Sequence, residues 1–285
     1  WYIEEGDITV RAGETEGTNK VTQGTTTDEE DTNTTITNRD KDTPSSNTVT
    51  IKAENENDKV EVKLEDVNIK TTGGKAAVSV TGKGDTNIEL DGDNELKSGA
   101  GHAGLEHNKT DTSGELTIQD KDKNGSLTAT GGIQNGAGIG AGGYGVSSGK
   151  IEITSDDWGA GIGSGSYGTG TVEITGGEIN ATGGYLGAGI GGGCNGSGNV
   201  TISGGTITAA GSDGAAGIGG GYYNGATVTI TGDAVIKNAS NTKYGAGIGG
   251  GYGYDGDVTI SGNAKIENAT GGYGAAGIGG GAFSS

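Results

Sequence analysis

Methionine is absent from this 285-residue chain, cysteine and proline occur once each (Cys194, Pro44), and lysine plus arginine number only 18. Each scarcity excludes something. A single thiol cannot form an internal disulfide. Eighteen basic residues against 37 acidic ones leave a net charge of −19, and residues 151–285 carry only Lys237, Lys243 and Lys265 as cations. This acidity argues against nucleic acid, whose phosphates need basic partners. No apolar run reaches the roughly 18 residues of a membrane-spanning helix. No segment carries the stripe of an amphipathic helix, and no signal-peptide pattern is present. The chain opens on Trp1, as a mature or excised fragment would. The near absence of sulfur suits an oxidising, extracellular setting.

A hydrophobic content of 29% with this charge would indicate disorder in a sequence without pattern. Glycine supplies the pattern. Of 65 glycines only four precede residue 73, and the later ones recur in one motif, GAGIGGG from Gly187 and again from Gly245. Close variants begin at Gly136, Gly159, Ala215 and Ala275. The motif isoleucines, Ile139, Ile162, Ile190, Ile218, Ile248 and Ile278, are 23, 28, 28, 30 and 30 residues apart. Such a period means stacked repeats, which need only one or two inward side chains per strand.

Each later repeat divides into three short strands. The first is the glycine run, the second a Val-x-Ile pair (Val172/Ile174, Val200/Ile202, Val228/Ile230, Val258/Ile260), and the third centres on Ile179, Ile207, Val235-Ile236 and Ile266. Glycine-rich turns such as Gly204-Gly205 separate the second from the third. Three strands per 28–30 residues predict one coil of a parallel β-helix, an all-β solenoid of about ten coils at about 4.8 Å per level. Earlier period-two pairs, from Val49/Ile51 to Ile88/Leu90, extend the regular helix over 49–285, with the glycine-rich repeats from 130. Residues 1–48 read as irregular polar coils or a cap, with strands at Ile8–Val10 and Thr35–Thr37 and an acidic loop over Thr25–Asp31. In the motif, Ile190 is expected to point inward and the flanking glycines outward, either as a bare floor for a ligand or because a sharp corner needs positive φ.

The GAGIGGG repeats and those of VTISGG type (200–205 and its variants) resemble the glycine-rich right-handed β-helices of Gram-positive, especially clostridial, surface proteins. Those are related in architecture to pectate lyases and described as carbohydrate-binding. The resemblance is clear over residues 130–285. It implies a right-handed, extracellular cell-surface module, adhesin-like or polysaccharide-associated, with calcium as a cofactor.

Three constellations bear on chemistry. Aromatic residues flank the glycine run: Trp158 and Tyr244 precede their isoleucines by four residues, and Tyr144, Tyr167, Tyr222, Tyr223, Tyr252 and Phe283 follow theirs by four or five. Such rings stack on sugars or on another protein, or merely on one another. Carboxylates align at one corner of successive coils, as Glu65/Asp66, Asp91/Asp93, Asp120/Asp122 with Asn124, and Asp156/Asp157. Stacked carboxylates repel and invite a divalent cation such as calcium, although Asp, Asn and Gly are also simple turn formers. The segment Asp120–Gly125 matches the start of an EF-hand loop, whereas Gly131 stands where the bidentate glutamate belongs. Third, His102 and His107 flank Glu106 where Leu105 replaces the motif isoleucine, a weak metal pattern in a degenerate repeat.

Catalysis has little to stand on. A lyase of pectate type would need a strong base, and the only arginines are Arg11 and Arg39, outside the regular coils. The reading is therefore a non-enzymatic structural or adhesive module whose partner is polysaccharide. The alternatives are a filament subunit that self-associates head-to-tail through uncapped ends, and a calcium-dependent polysaccharide lyase.

Overall fold

The described residues of the computed structural model are 1–107, 114–133, 136–140, 144–146, 150–155 and 158–284, with main chain alone at 144–146, 150–155 and 170. Almost every element is a short strand, and the expected parallel stacking is present on three faces. On the first face Ile8, Val49, Val78, Leu105, Ile139, Ile162, Ile190, Ile218, Ile248 and Ile278 lie in direct register. Leu105 thus fills the isoleucine slot of its coil. The second face aligns Val172, Val200, Val228 and Val258, and the third Ile179, Ile207, Ile236 and Ile266. The solenoid has about eight turns where about ten coils were expected, although ten levels stack in register on the first face.

Alternation causes this arrangement. One side chain in two faces the centre, so Val60, Val62 and Leu64, like Ile88 and Leu90, are at most 2% exposed. Burying each such side chain contributes roughly 1.5–3 kcal/mol, which offsets the low overall apolar content. The lengthening of the repeat from 28 to 30 residues also has a local cause. Thr206 pairs with Val235 but Thr208 with Asn238, so a bulge at Lys237 takes up one residue and the preceding turn another.

The glycine motif departs from the expected strand. Only Ile190 and Gly191 are paired as strand, and the chain closes on itself around them, Ala188 N donating to Gly192 O at 2.9 Å. The same closure recurs at Ala160, Ala216, Ala246 and Ala276. The outward glycine floor is also corrected, because all of Gly187–Gly193 is buried. Gly191 has φ 132°, and a Cβ there would lie 2.0 Å from the Gly219 carbonyl oxygen of the next coil. Glycine is present because neighbouring backbones touch.

At the N-terminal end, Asn19–Gln23 pairs antiparallel with Ile8–Ala12, and Thr26–Asp31 pairs antiparallel with Asn19–Gln23. The segment expected to be an acidic loop is therefore mostly the edge strand of the first face. Its side chains are not buried, and Asp28, Glu29, Glu30 and Asp31 charge the edge against further pairing.

Candidate functional site

The two ends of each glycine loop meet at a corner. Tyr222 N donates to the Leu186 carbonyl of the preceding coil at 3.0 Å, Tyr252 N to Gly214 at 2.7 Å, and Cys194 N to Trp158 at 2.7 Å. Residues four before and four after a motif isoleucine are thereby neighbours from adjacent coils. This is why aromatics far apart in sequence gather.

They form one cluster. Tyr222 and Tyr252 stack with ring centres 5.4 Å apart and planes 16° from parallel. Tyr223 lies 4.1 Å from Tyr222 and meets Tyr252 edge-on at 5.5 Å, while Tyr244 and Phe283 each approach Tyr252 at 5.5 Å. Gly214 gives Tyr222 its seat, since a Cβ there would lie 2.4 Å from the ring. Tyr223, Tyr244 and Phe283 remain exposed. The cluster is thus a platform rather than a core. Its hydroxyls interact: hydrogen bonding to Tyr223, then burial and the nearby Tyr252 and Tyr185 hydroxyls, push the Tyr222 pKa up to about 12. At the rim the Lys243 ammonium pairs with Asp213, which raises its pKa.

The backbone adds a second feature. The fifth residue after the isoleucine takes a left-handed conformation in five coils: Tyr167 (φ 61°), Asn195 (53°), Tyr223 (59°), Gly253 (80°) and Phe283 (64°). Glycine and asparagine suit that region, but a large side chain is strained there by roughly 1–2 kcal/mol.

Of the residues expected to bind ligand, Tyr222, Tyr223, Tyr244 and Tyr252 are brought together. Trp158 and Tyr167 are exposed but outside the ring cluster. The Tyr144 side chain lies outside the described residues. Sequence reasoning missed Tyr185, which stands five residues before Ile190 and lies near both Tyr222 and Lys243. Aligning that fifth position, where Tyr273 also stands, would have found it.

The acidic corner is less coherent. Glu65 and Asp91 are in register, but Lys63 pairs with both, at 3.2 Å to Glu65, and hydrogen bonding to Asp91 raises its pKa. Asp93 accepts from the Ser126 hydroxyl at 2.8 Å. Asp120 departs from the expected column: it is 2% exposed and caps its own turn, accepting from Asn124 N at 3.2 Å and Gly125 N at 3.1 Å. Its strand sets Gln119 beside Glu89, which turns the next residue inward. Asp122 and Asn124 are exposed, while Asp156 and Asp157 lie outside the described residues. Among the described residues no three His, Cys, Asp or Glu side chains are grouped to hold a metal ion.

The histidines diverge. His102 Nδ1 sits 2.8 Å from Glu106, whereas His107 is buried with its ring nitrogens 3.3 and 3.1 Å from the carbonyls of Val80 and Gly114. Cys194 is buried, and burial raises its thiol pKa. Among the described residues no helix is long and apolar enough to cross a membrane.

The family model described as "Beta helix repeat" matches residues 172–194, 200–222, 224–252 and 258–282, each segment one Val-x-Ile strand through to the end or corner of the following glycine loop. No curated protein and no solved structure matches the chain. Over residues 172–282 the chain is thus similar to β-helix repeat proteins, and the stacked coils give the whole described chain the fold of a β-solenoid.

Proposed function

We propose that the chain is a non-enzymatic module of an extracellular surface that binds polysaccharide at the tyrosine platform. The observation that carries this reading is the gathering of Tyr222, Tyr223, Tyr244, Tyr252 and Phe283 at one corner, with rings left partly exposed. Offset rings of this kind present rigid apolar area with polar edges, which suits the faces and hydroxyls of sugars. Strain supports the reading. Asn195 and Gly253 show what the left-handed turn tolerates, yet Tyr167, Tyr223 and Phe283 occupy it in other coils. Aromatic rings held there at a cost to stability have a use outside the fold. A net charge of −19 disfavours anionic polymers and directs the choice to neutral glycans. A catalytic role is not part of the proposal: Arg11 pairs with Asp28 and Glu54, and Arg39 with Glu5, so neither guanidinium is unengaged as a base.

The test is retention on a panel of immobilised neutral polysaccharides, comparing the chain with a Tyr223→Ala/Tyr244→Ala variant. Both residues are exposed, so the variant is expected to fold with unchanged circular dichroism and to lose retention. Full retention by the folded variant would exclude the platform.

A further inference from the structure

Asn-Gly pairs recur along the chain, and three of them lie within the described residues: Asn124-Gly125, Asn195-Gly196 and Asn224-Gly225. Such a pair can react with itself, because glycine has no Cβ to shield its amide nitrogen from the carboxamide before it. Whether it does so depends on where the fold holds that nitrogen. Gly125 is buried and its N donates to the Asp120 carboxylate at 3.1 Å; Gly196 is buried and its N donates to the Gly193 carbonyl at 2.7 Å. Both nitrogens are engaged by acceptors other than their own asparagine. Gly225 is only half-buried, and its N donates to Oδ1 of Asn224 itself at 3.0 Å. The carboxamide carbon, one bond from that oxygen, therefore stands beside the nitrogen that can attack it, and reacting groups held together in this way have met much of the entropy of encounter in advance.

The turn does not itself demand asparagine. Asn224 is the sixth residue after Ile218, and the corresponding residues of other coils are Gly196, Tyr254 and Ser284. The glycine is fixed by packing, since a Cβ at Gly225 would lie 2.4 Å from the Asp255 carbonyl oxygen. Asn224 also ties three coils together. Its N donates to Gly221 O at 3.1 Å and closes the turn that carries Tyr222 and Tyr223, its Nδ2 donates to the Asn195 carbonyl of the preceding coil at 3.2 Å, and its own carbonyl accepts from Gly251 N of the next coil at 2.9 Å.

We propose that Asn224 and Gly225 form a self-modifying site whose co-reactants are hydroxide and water. Gly225 N gives its proton to hydroxide and attacks Cγ of Asn224. The new C–N bond closes a succinimide as the Cγ–Nδ2 bond breaks, and Nδ2 leaves as ammonia with a proton from water, which regenerates the hydroxide. Water then opens the ring at one of its two carbonyls, giving aspartate or, with the main chain rerouted through the side chain, isoaspartate. One water is consumed and one ammonia released, with no oxidation. The product lacks the Nδ2 donor, so a carboxylate that can only accept replaces the bond to the Asn195 carbonyl, and the turn beneath the Tyr222–Tyr252 stack is loosened. In the test the full chain is held in mildly alkaline buffer, with and without denaturing urea, and the three sites are followed by peptide mass mapping with isoaspartate detection. In the folded chain Asn224 is expected to convert at least about tenfold faster than Asn124 and Asn195, through a transient species that has lost ammonia. In urea the three rates are expected to converge, because the reacting dipeptide is the same. The readout is mass, so it stands whether or not the tyrosines bind polysaccharide. Two outcomes would overturn the proposal: conversion of Asn224 in the folded chain no faster than at either other site, or a lead for Asn224 that persists in urea, where the sequence and not the fold would set it.

Discussion

Replacing Tyr167 with asparagine is expected to stabilise the protein, although it deletes an aromatic ring. Tyr167 sits at φ 61° with its side chain largely in solvent, 78% exposed. The left-handed conformation costs a bulky residue roughly 1–2 kcal/mol relative to one that tolerates it. A tyrosine buries up to about 200 Å² when enclosed, so about a fifth of it, roughly 40 Å², is covered here, worth about 1 kcal/mol at 25 cal/mol per Å². Asparagine retains part of that contact and occupies the same position at Asn195 of the next coil, with φ 53°. The net expectation is a gain of about 0.5–1 kcal/mol, which moves the urea midpoint up by about 0.25 M for a slope near 3 kcal/mol/M. Because stability in a solenoid is shared between neighbouring coils, amide exchange should slow first in residues 158–174 and in the coils that stack on them. The reciprocal change, Asn195→Tyr, should cost a similar amount. A loss of 1 kcal/mol or more in Tyr167→Asn would refute the reasoning, since the ring would then be holding the coil together.

Three further outcomes follow from the same geometry. With its folded pKa raised to about 12 against an ordinary 10, Tyr222 contributes stability that is fully present below pH 10 and lost as pH rises toward 12; tyrosinate absorbance should show one late-titrating group that disappears in Tyr222→Phe, and a single transition near 10 for all ten tyrosines would contradict this. Gly191→Ala puts a methyl 2.0 Å from the Gly219 carbonyl at φ 132°, so a loss of more than about 3 kcal/mol is expected, read as protease sensitivity in the flanking coils; near-neutral behaviour would mean the coils can separate. Lys63→Met removes the ammonium that pairs with Glu65 and Asp91, so a calcium-dependent rise in melting temperature should be larger in the variant than in the parent, and no rise in either would exclude calcium at this corner.

The period, the three faces and the residues in each column were legible because they rest on spacing alone. Val172, Val200 and Val228 announce their register by recurring every 28 residues, and nothing distant in the chain has to be known. What escaped depends on pairs that sequence does not juxtapose. Buried Asn19 reaches the Thr34 hydroxyl and the Glu61 carbonyl, 15 and 42 residues further along the chain. The inward turn of Asp120 follows from register: Gln119 lies beside Glu89, so Asp120 falls in the inward slot of Leu90 and not beside Asp91 as the acidic pattern suggests. Residues 26–31 looked like a loop because acidic side chains obscure β alternation; an edge strand has no buried face to alternate with.

The glycine motif shows the same division more sharply. Its recurrence placed the inward isoleucine correctly, since Ile162, Ile190, Ile218 and Ile248 are all fully buried. Its chemistry was hidden, because glycine is compatible with an open floor and with a crowded corner alike. The 2.0 Å approach to the next coil's carbonyl decides for crowding, and it carries the site with it. Coils that touch at Gly191 and Gly219 bring the loop ends into contact above them, through bonds such as Tyr222 N to Leu186 O. A larger residue in the column would hold adjacent corners apart, and the tyrosines of neighbouring coils could no longer stack at 5.4 Å. The bare backbone does not bind the ligand in this reading; it sets the spacing at which the rings can.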